Sequence, residues 1–240
     1  MIRLCTIACV IFVATWPGGS VLAGPDIVEN DTGDAGSLPG SAKVVAGMGP
    51  LNSIQGQLEG NPMPLGIDFE DMYLVKIADP LKFSATTFNS QTNFNTQLWI
   101  FDINGLGVLA NDDGPIGMSS TIDGPANDGT GVAITVPGLY YIAITGFNND
   151  AVDSFGNLIF NQASAREISG PDGPGGRNPI AGWTGNGQVG NYVILFTGVE
   201  FVACVPTVSQ WGLVVMGLMF LTAATVVFKG GRVGVRTGRA

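Results

Sequence analysis

Residues 139–147 read LYYIAITGF. Within them Tyr140-Tyr141-Ile142-Ala143-Ile144 carries no charged residue, and Pro137-Gly138 and Asn148-Asn149-Asp150 close the two sides. A run this short, rich in aromatic and β-branched side chains and bounded by turn formers, predicts a strand rather than a helix. Its mixture of alternation and continuous apolar character suits a central strand of a two-layer structure. Met72-Tyr73-Leu74-Val75-Lys76-Ile77 has the same character. Outward from these, the pattern recurs in residues 53–60 (SIQGQLEG), 71–79 (DMYLVKIAD), 81–89 (LKFSATTFN), 96–102 (TQLWIFD) and 107–113 (GVLANDD). It recurs again in residues 131–138 (GVAITVPG), 156–162 (GNLIFNQ) and 191–201 (NYVILFTGVEF). Gly, Asn, Asp and Pro clusters separate the segments, and no window between them sustains helical periodicity. The expected fold class is all-β, an antiparallel β-sandwich of jelly-roll-like form over residues 42–203.

Charge narrows the function classes. The 240 residues include ten Lys and Arg, nineteen Asp and Glu, and no His. Arg3 lies near the start and Lys229, Arg232, Arg236 and Arg239 near the end, so the body holds five basic residues against all nineteen acidic ones. Such a surface repels phosphate backbones and anionic headgroups, which argues against nucleic acid as a partner. It suits divalent cations, or plain solubility. The absence of histidine removes the usual general base and every serine–histidine or cysteine–histidine nucleophile pair. A glycosidase could work with two carboxylates alone, but the acidic residues fall in turns beside small polar residues and mark no such pair. The reading is therefore non-enzymatic. Cys5 and Cys9 sit in the N-terminal apolar segment, which leaves Cys204 alone in the body as a small residue, with no internal disulfide expected.

The two ends read as addresses. Residues 1–23 have Arg3, an apolar stretch over residues 4–16, a Pro-Gly-Gly break and Val21-Leu22-Ala23. This is the form of a secretory signal peptide, too short to span a membrane permanently, with cleavage expected between Ala23 and Gly24. Sec-type export machinery and a signal peptidase are the implied partners. Residues 24–41 (GPDIVENDTGDAGSLPGS) are acidic and rich in turn formers, and are expected to form a flexible leader. Residues 205–240 are expected to hold a transmembrane helix at 212–228, at the short limit for spanning. Lys229, Arg232, Arg236 and Arg239 follow as a basic stop-transfer cluster that keeps the C-terminus cytoplasmic and the body outside. An ordinary anchor would need nothing more. Here Val205, Pro206, Thr207, Val208, Trp211 and Gly212 precede the helix. The residue before a proline avoids helix, so this segment would present extended backbone, with Trp211 favoured at the interface.

That hexad resembles the bacterial sorting signal Ile-Pro-Thr-Leu-x-x-Trp-Gly, a member of the PEP-CTERM-like class. The resemblance implies recognition by an exosortase-like membrane protease that removes the helix. The protein would then be exported, held transiently in the membrane, and finally displayed on the cell surface or released. The body is similar to the bacterial pre-peptidase C-terminal domain in the order of its motifs: GIDFED (residues 66–71), LWIFDINGLGVLANDD (98–113), PGLYYIAITG (137–146) and NPIAGWTGNGQVGNYVILFTG (178–198). That resemblance implies a β-sandwich accompanying surface structures or secreted enzymes, with calcium bound in some members.

Two ligand readings compete with structural ones. Asp102 and Asn104, followed by Asp112 and Asp113, cluster oxygen ligands across a hairpin and are the predicted calcium residues. Alternatively Asn104-Gly105 supplies a tight turn that Asp102 caps. Asp68, Glu70 and Asp71 form an acidic strand entrance that could join Asp112 and Asp113, and Asn148-Asn149-Asp150 with Asp153 form another acidic loop. Trp99 lies in an apolar strand and reads as core. Trp183, in the glycine-rich residues 169–190, is either a carbohydrate platform or a loop anchor, and the loop itself is expected to be mobile. A calcium-dependent or carbohydrate-binding secreted module is thus the alternative to a plain surface protein.

Overall fold

The computed structural model describes residues 26–29, 33–60 and 68–203, together with Val215 and Leu218. The signal segment with its Ala23–Gly24 junction, the sorting motif and the basic cluster lie outside the described residues, as does the expected helix apart from those two positions. Among the described residues, no helix is long and apolar enough to cross a membrane. The described residues up to 203 are all-β, as their strand pattern predicts.

The strands in chain order are β1 (Ile27–Val28), β2 (Lys43–Val44), β3 (Ala46–Gly47), β4 (Ser53–Leu58), β5 (Glu70–Ile77), β6 (Ser84–Thr86), β7 (Thr96–Asp102) and β8 (Gly107–Asn111). They continue with β9 (Thr121–Ile122), β10 (Gly138–Gly146), β11 (Ala151–Val152), β12 (Gly182–Trp183), β13 (Gly190–Thr197), β14 (Val199–Glu200) and β15 (Val202–Ala203). One sheet runs β1-β4-β13-β6-β9; another runs β14-β5-β10-β7-β8, with β2 also on β5. Pairing is antiparallel except for three short parallel contacts, β1 on β4, β2 on β5 and β15 on β3. The stretch LYYIAITGF forms most of β10, with Ile142 opposite Tyr73 on one side and Ile100 on the other.

Period-two alternation sorts the side chains. Ile54 and Leu58 of β4 and Tyr192, Ile194 and Phe196 of β13 point into one buried cluster with Tyr73, Val75, Ile77, Leu98, Ile100, Ile142 and Ile144 of the second sheet. Both sheets therefore build one core. On the other face of the second sheet Met72, Trp99, Phe101, Tyr141 and Ala143 meet a second cluster, completed by Ala151, Ile159, Phe160 and Ile180. This sheet is covered twice, which is why its strands read LWIF and YYIAI with hardly a polar position. Each such side chain contributes roughly 1.5–3 kcal/mol by leaving water.

The cover is irregular chain, and this corrects two strand expectations. Residues 156–162 form no strand: Leu158 makes one isolated bridge to Val152, while Ile159 and Phe160 are buried against Trp99 and Phe101. Residues 131–137 form none either, and Pro137, with no N–H to donate, stands just ahead of β10. Residues 169–190, expected to be mobile, are pinned by main-chain bonds: Ile180 N to Gly105 O at 2.9 Å, Ala181 N to Val152 O at 2.9 Å and Thr184 N to Asp150 O at 2.9 Å. Its glycines permit the close turns; a Cβ at Gly176 would collide with the Pro171 carbonyl.

Candidate functional site

The predicted calcium hairpin is a turn. Asp102 Oδ1 accepts from Asn104 N at 2.8 Å and from Leu106 N at 2.9 Å, and Gly105 takes a φ of 80°. The carboxylate caps the loop between β7 and β8. Asp112 and Asp113 lie past the far end of β8, a five-residue strand of roughly 16 Å. Asp102 and Asn104 therefore do not converge with Asp112 and Asp113. Asp112 is only 6 % exposed and its Oδ1 has no hydrogen-bond partner. Burial first, then Asp113 and Asp150, push its carboxyl up to about 7.

The acidic loop after β10 is structural too. Burial works against ionised Asp153, but hydrogen bonds from Asn157, Asn178 and Phe155 outweigh it and hold the carboxyl at about 2. Asp150 Oδ1 accepts from Gln97 Nε2 at 3.0 Å. Trp183 is half-buried, donates through Nε1 to Ser37 O at 2.9 Å, and sets its ring edge-on to Trp99 at 5.8 Å and Phe101 at 6.3 Å. These contacts make it an anchor for the loop. Trp99 is core, as expected, with Nε1 donating to Thr145 Oγ1 at 2.9 Å.

The structure assembles a different acidic centre, at the sheet edge where β1 meets β4. The described part of the leader is docked rather than flexible: Ile27 and Val28 pair in parallel with Ile54 and Gln55. That pairing carries Glu29, the next residue, into the core at 1 % exposure. Asp71 and Tyr73, two apart on β5, point inward together, and Tyr192 reaches them from β13. Tyr192 stands opposite Gly56 in the β4–β13 ladder. A Cβ at Gly56 would collide with the Tyr192 hydroxyl and lie 2.5 Å from Glu29 Oε2, so glycine makes the space both groups occupy.

Glu29 Oε1 accepts from Ala35 N at 2.8 Å and from Tyr73 at 2.9 Å, and Oε2 accepts from Gln57 N at 3.3 Å. The Tyr73 and Tyr192 hydroxyl oxygens are 2.5 Å apart, and Tyr192 lies 2.6 Å from Asp71 Oδ2. Asp71 Oδ1, fully buried, has no partner. One carboxylate oxygen each from Glu29, Asp34 and Asp71 lies within 4.8 Å of the others. Lys43 is adjacent, but its ammonium donates to main-chain carbonyls, Glu29 O at 2.9 Å and Gly33 O. Burial lowers the Lys43 pKa, against the pull of Glu29, Asp71 and Asp34.

Electrostatics and proton count agree. Burial, then Glu29, holds the Asp71 carboxyl well above the usual range, despite the hydrogen bond with Tyr192. Burial likewise raises Tyr73 and Tyr192, with the nearby acidic groups adding to it. Asp68 at the rim is pushed up to about 7 by burial, opposed by its bond from Glu59 N and aided by Asp34 and Glu29. The contacts Glu29–Tyr73, Tyr73–Tyr192 and Tyr192–Asp71 have two hydroxyl hydrogens among them. With no cation the chain is complete when Asp71 carries the third proton.

A hard dication would replace that proton. Calcium takes six to eight oxygens at about 2.3–2.6 Å, so ligand oxygens on one coordination sphere are at most about 4.6–5.2 Å apart. The three carboxylates meet that bound, and the orphaned Asp71 Oδ1 is a buried acceptor that lacks a donor. Sequence reasoning noticed Asp71 in its acidic run but assigned Glu29 and Asp34 to the leader. The available signal was Ile27-Val28, a β-branched pair just before Glu29. No protein-family model matches the chain, and no curated protein or solved structure matches it.

Proposed function

We propose that this chain is an exported, non-enzymatic surface module: a jelly-roll-like β-sandwich that binds calcium through Glu29, Asp34 and Asp71. The observation that carries the calcium reading is the buried Asp71 carboxyl, whose Oδ1 has no partner and which belongs to a set of carboxylates that fits one coordination sphere. The ion would fasten β1 to β4 and β5 and remove the repulsion among three acidic side chains. Millimolar affinity is the regime of extracellular calcium modules, where the role is structural. Export, sorting through Val205, Pro206, Thr207, Val208, Trp211 and Gly212, and processing by an exosortase-like membrane protease are supported by the sequence of the two ends. The absent histidine and acidic groups committed to turns and caps support a role without catalysis.

Thermal melting of the chain with calcium tests the centre. An ion that binds only the folded state raises the melting temperature as its concentration rises. The shift is expected in the native protein at about 1–10 mM calcium, and is expected to vanish in Asp71→Asn. It is also expected to grow as the pH rises, because the ion must displace the Asp71 proton. No shift in the native protein defeats the calcium reading. For sorting, mass spectrometry of the extracellular protein should find no peptide beyond residue 205; intact tails there would reduce the helix to a plain anchor.

A further inference from the structure

On the side of the first sheet facing away from the core lies a groove of about 400 Å³. Gln55 and Gln57 of β4, alternating with the inward Ile54, Gly56 and Leu58, form its floor with Asn191 of β13. Asn191 stands directly opposite Gln57 in the ladder. Val28 of β1 closes one side and Gln91, in the loop that runs beside β13, the other. No charged side chain lines it.

Four side-chain amides face this groove, and none of them hydrogen-bonds to another described residue. Each amide offers an acceptor oxygen and two donor hydrogens. A surface that repeats paired donors and acceptors at strand spacing, with one apolar residue at its edge, matches a ligand that is itself a row of paired donors and acceptors. Sugar hydroxyls are such groups. A peptide held by side-chain anchors would need apolar pockets, which this lining lacks. An anionic polysaccharide is disfavoured by the acidic body. The volume falls in the range of about 300–1,000 Å³ typical of ligand sites.

We infer that this groove binds a neutral glycan through Gln55, Gln57, Gln91 and Asn191. The site is separate from the acidic centre, with Gly56 and Tyr192 forming the partition between them. It deepens the proposed surface role by naming a ligand class, but the binding itself requires neither calcium nor export.

The test is calorimetric titration of the full-length chain in detergent with maltohexaose, cellohexaose, laminarihexaose and mannohexaose, and with an unstructured Gly-Ser peptide. Saturable binding of at least one hexaose is expected, in calcium and in chelator alike. The Gln57→Ala/Asn191→Ala variant should bind at least about tenfold more weakly, the equivalent of about 1.4 kcal/mol lost over two hydrogen bonds. Its melting temperature should not change, since neither amide has a partner within the protein; Gln55→Ala gives an independent reading. Absence of binding by all four sugars, equal affinity in the double variant, or preference for the peptide would overturn the assignment. Binding that disappears only in chelator would place the ligand on the acidic centre and would also overturn it.

Discussion

The Tyr192 hydroxyl oxygen lies 2.6 Å from Asp71 Oδ2, a contact between β13 of one sheet and β5 of the other. It is the one hydrogen bond Asp71 makes through its side chain to a described residue, because Oδ1 has none. Tyr192→Phe would keep the ring in the core and leave the Asp71 carboxyl with no hydrogen-bond partner. Orphaning a buried polar group costs about 1–3 kcal/mol, more than the bond's net contribution. A urea melt at pH 7 without calcium should show a loss of that size. A change below about 0.5 kcal/mol would mean that Asp71 finds another partner and that the proton chain is not a unit.

Gly56 is required by what lies above it rather than by its own backbone, since its φ is not positive. A methyl group at that point collides with Tyr192 and crowds Glu29. Gly56→Ala should therefore destabilise the protein by about 1–3 kcal/mol, the range for overpacking a close-packed core. It should also abolish the calcium-induced rise in melting temperature, because Glu29 can reach the centre only through that space. A stable variant with a normal calcium response would show that β1 docks by another route.

Asp112 predicts the pH dependence of stability. Its carboxyl is pushed up to about 7 from a reference of 3.8 by burial, with Asp113 and Asp150 beside it. Between those values the folded protein holds a proton that the unfolded chain has released. Stability from this group is thus full below about pH 4 and falls as the pH rises towards 7. Asp112→Asn removes the titration. The difference in melting temperature, variant minus native, should become more positive from pH 4.5 to pH 8. A flat difference would show that Asp112 titrates normally in the folded state.

What the sequence disclosed depended on whether the deciding interaction was local. β7 was legible to the residue in TQLWIFD, and β10 nearly so, because both are buried on two faces and announce it by composition. Residues 156–162 have the same apolar content, and Ile159 and Phe160 are as buried as any strand residue, yet they cover a sheet instead of joining one. Composition reports burial in both cases and cannot separate them. Asp102 was ambiguous between a cap and a ligand, and the choice fell to the cap because both main-chain donors lie within four residues. Glu29 was illegible for the opposite reason. Its partners Tyr73 and Tyr192 are 44 and 163 positions away, and nothing in an acidic, glycine-rich segment points to them.

Trp183 separates the loop-anchor role from the ligand role by experiment. Its indole packs edge-on to Trp99 and Phe101 and its Nε1–H is bound to Ser37 O, so it ties residues 169–190 and the leader to the second sheet at one point. Truncation removes two ring contacts, each contributing about 0.5–1.5 kcal/mol beyond area burial, and leaves the Ser37 carbonyl unpaired. Trp183→Ala should lower stability by about 2–4 kcal/mol, near the lower part of the range for aromatic truncation because the ring is half-buried. Tryptophan fluorescence followed through a urea melt reads the loss, and Trp99 should shift to the red as its neighbour is replaced by water. Glycan affinity should be unchanged below the melting temperature, since the amide groove is on the other sheet. If stability held while sugar binding failed, Trp183 would be the platform after all and the amide groove would lose its assignment.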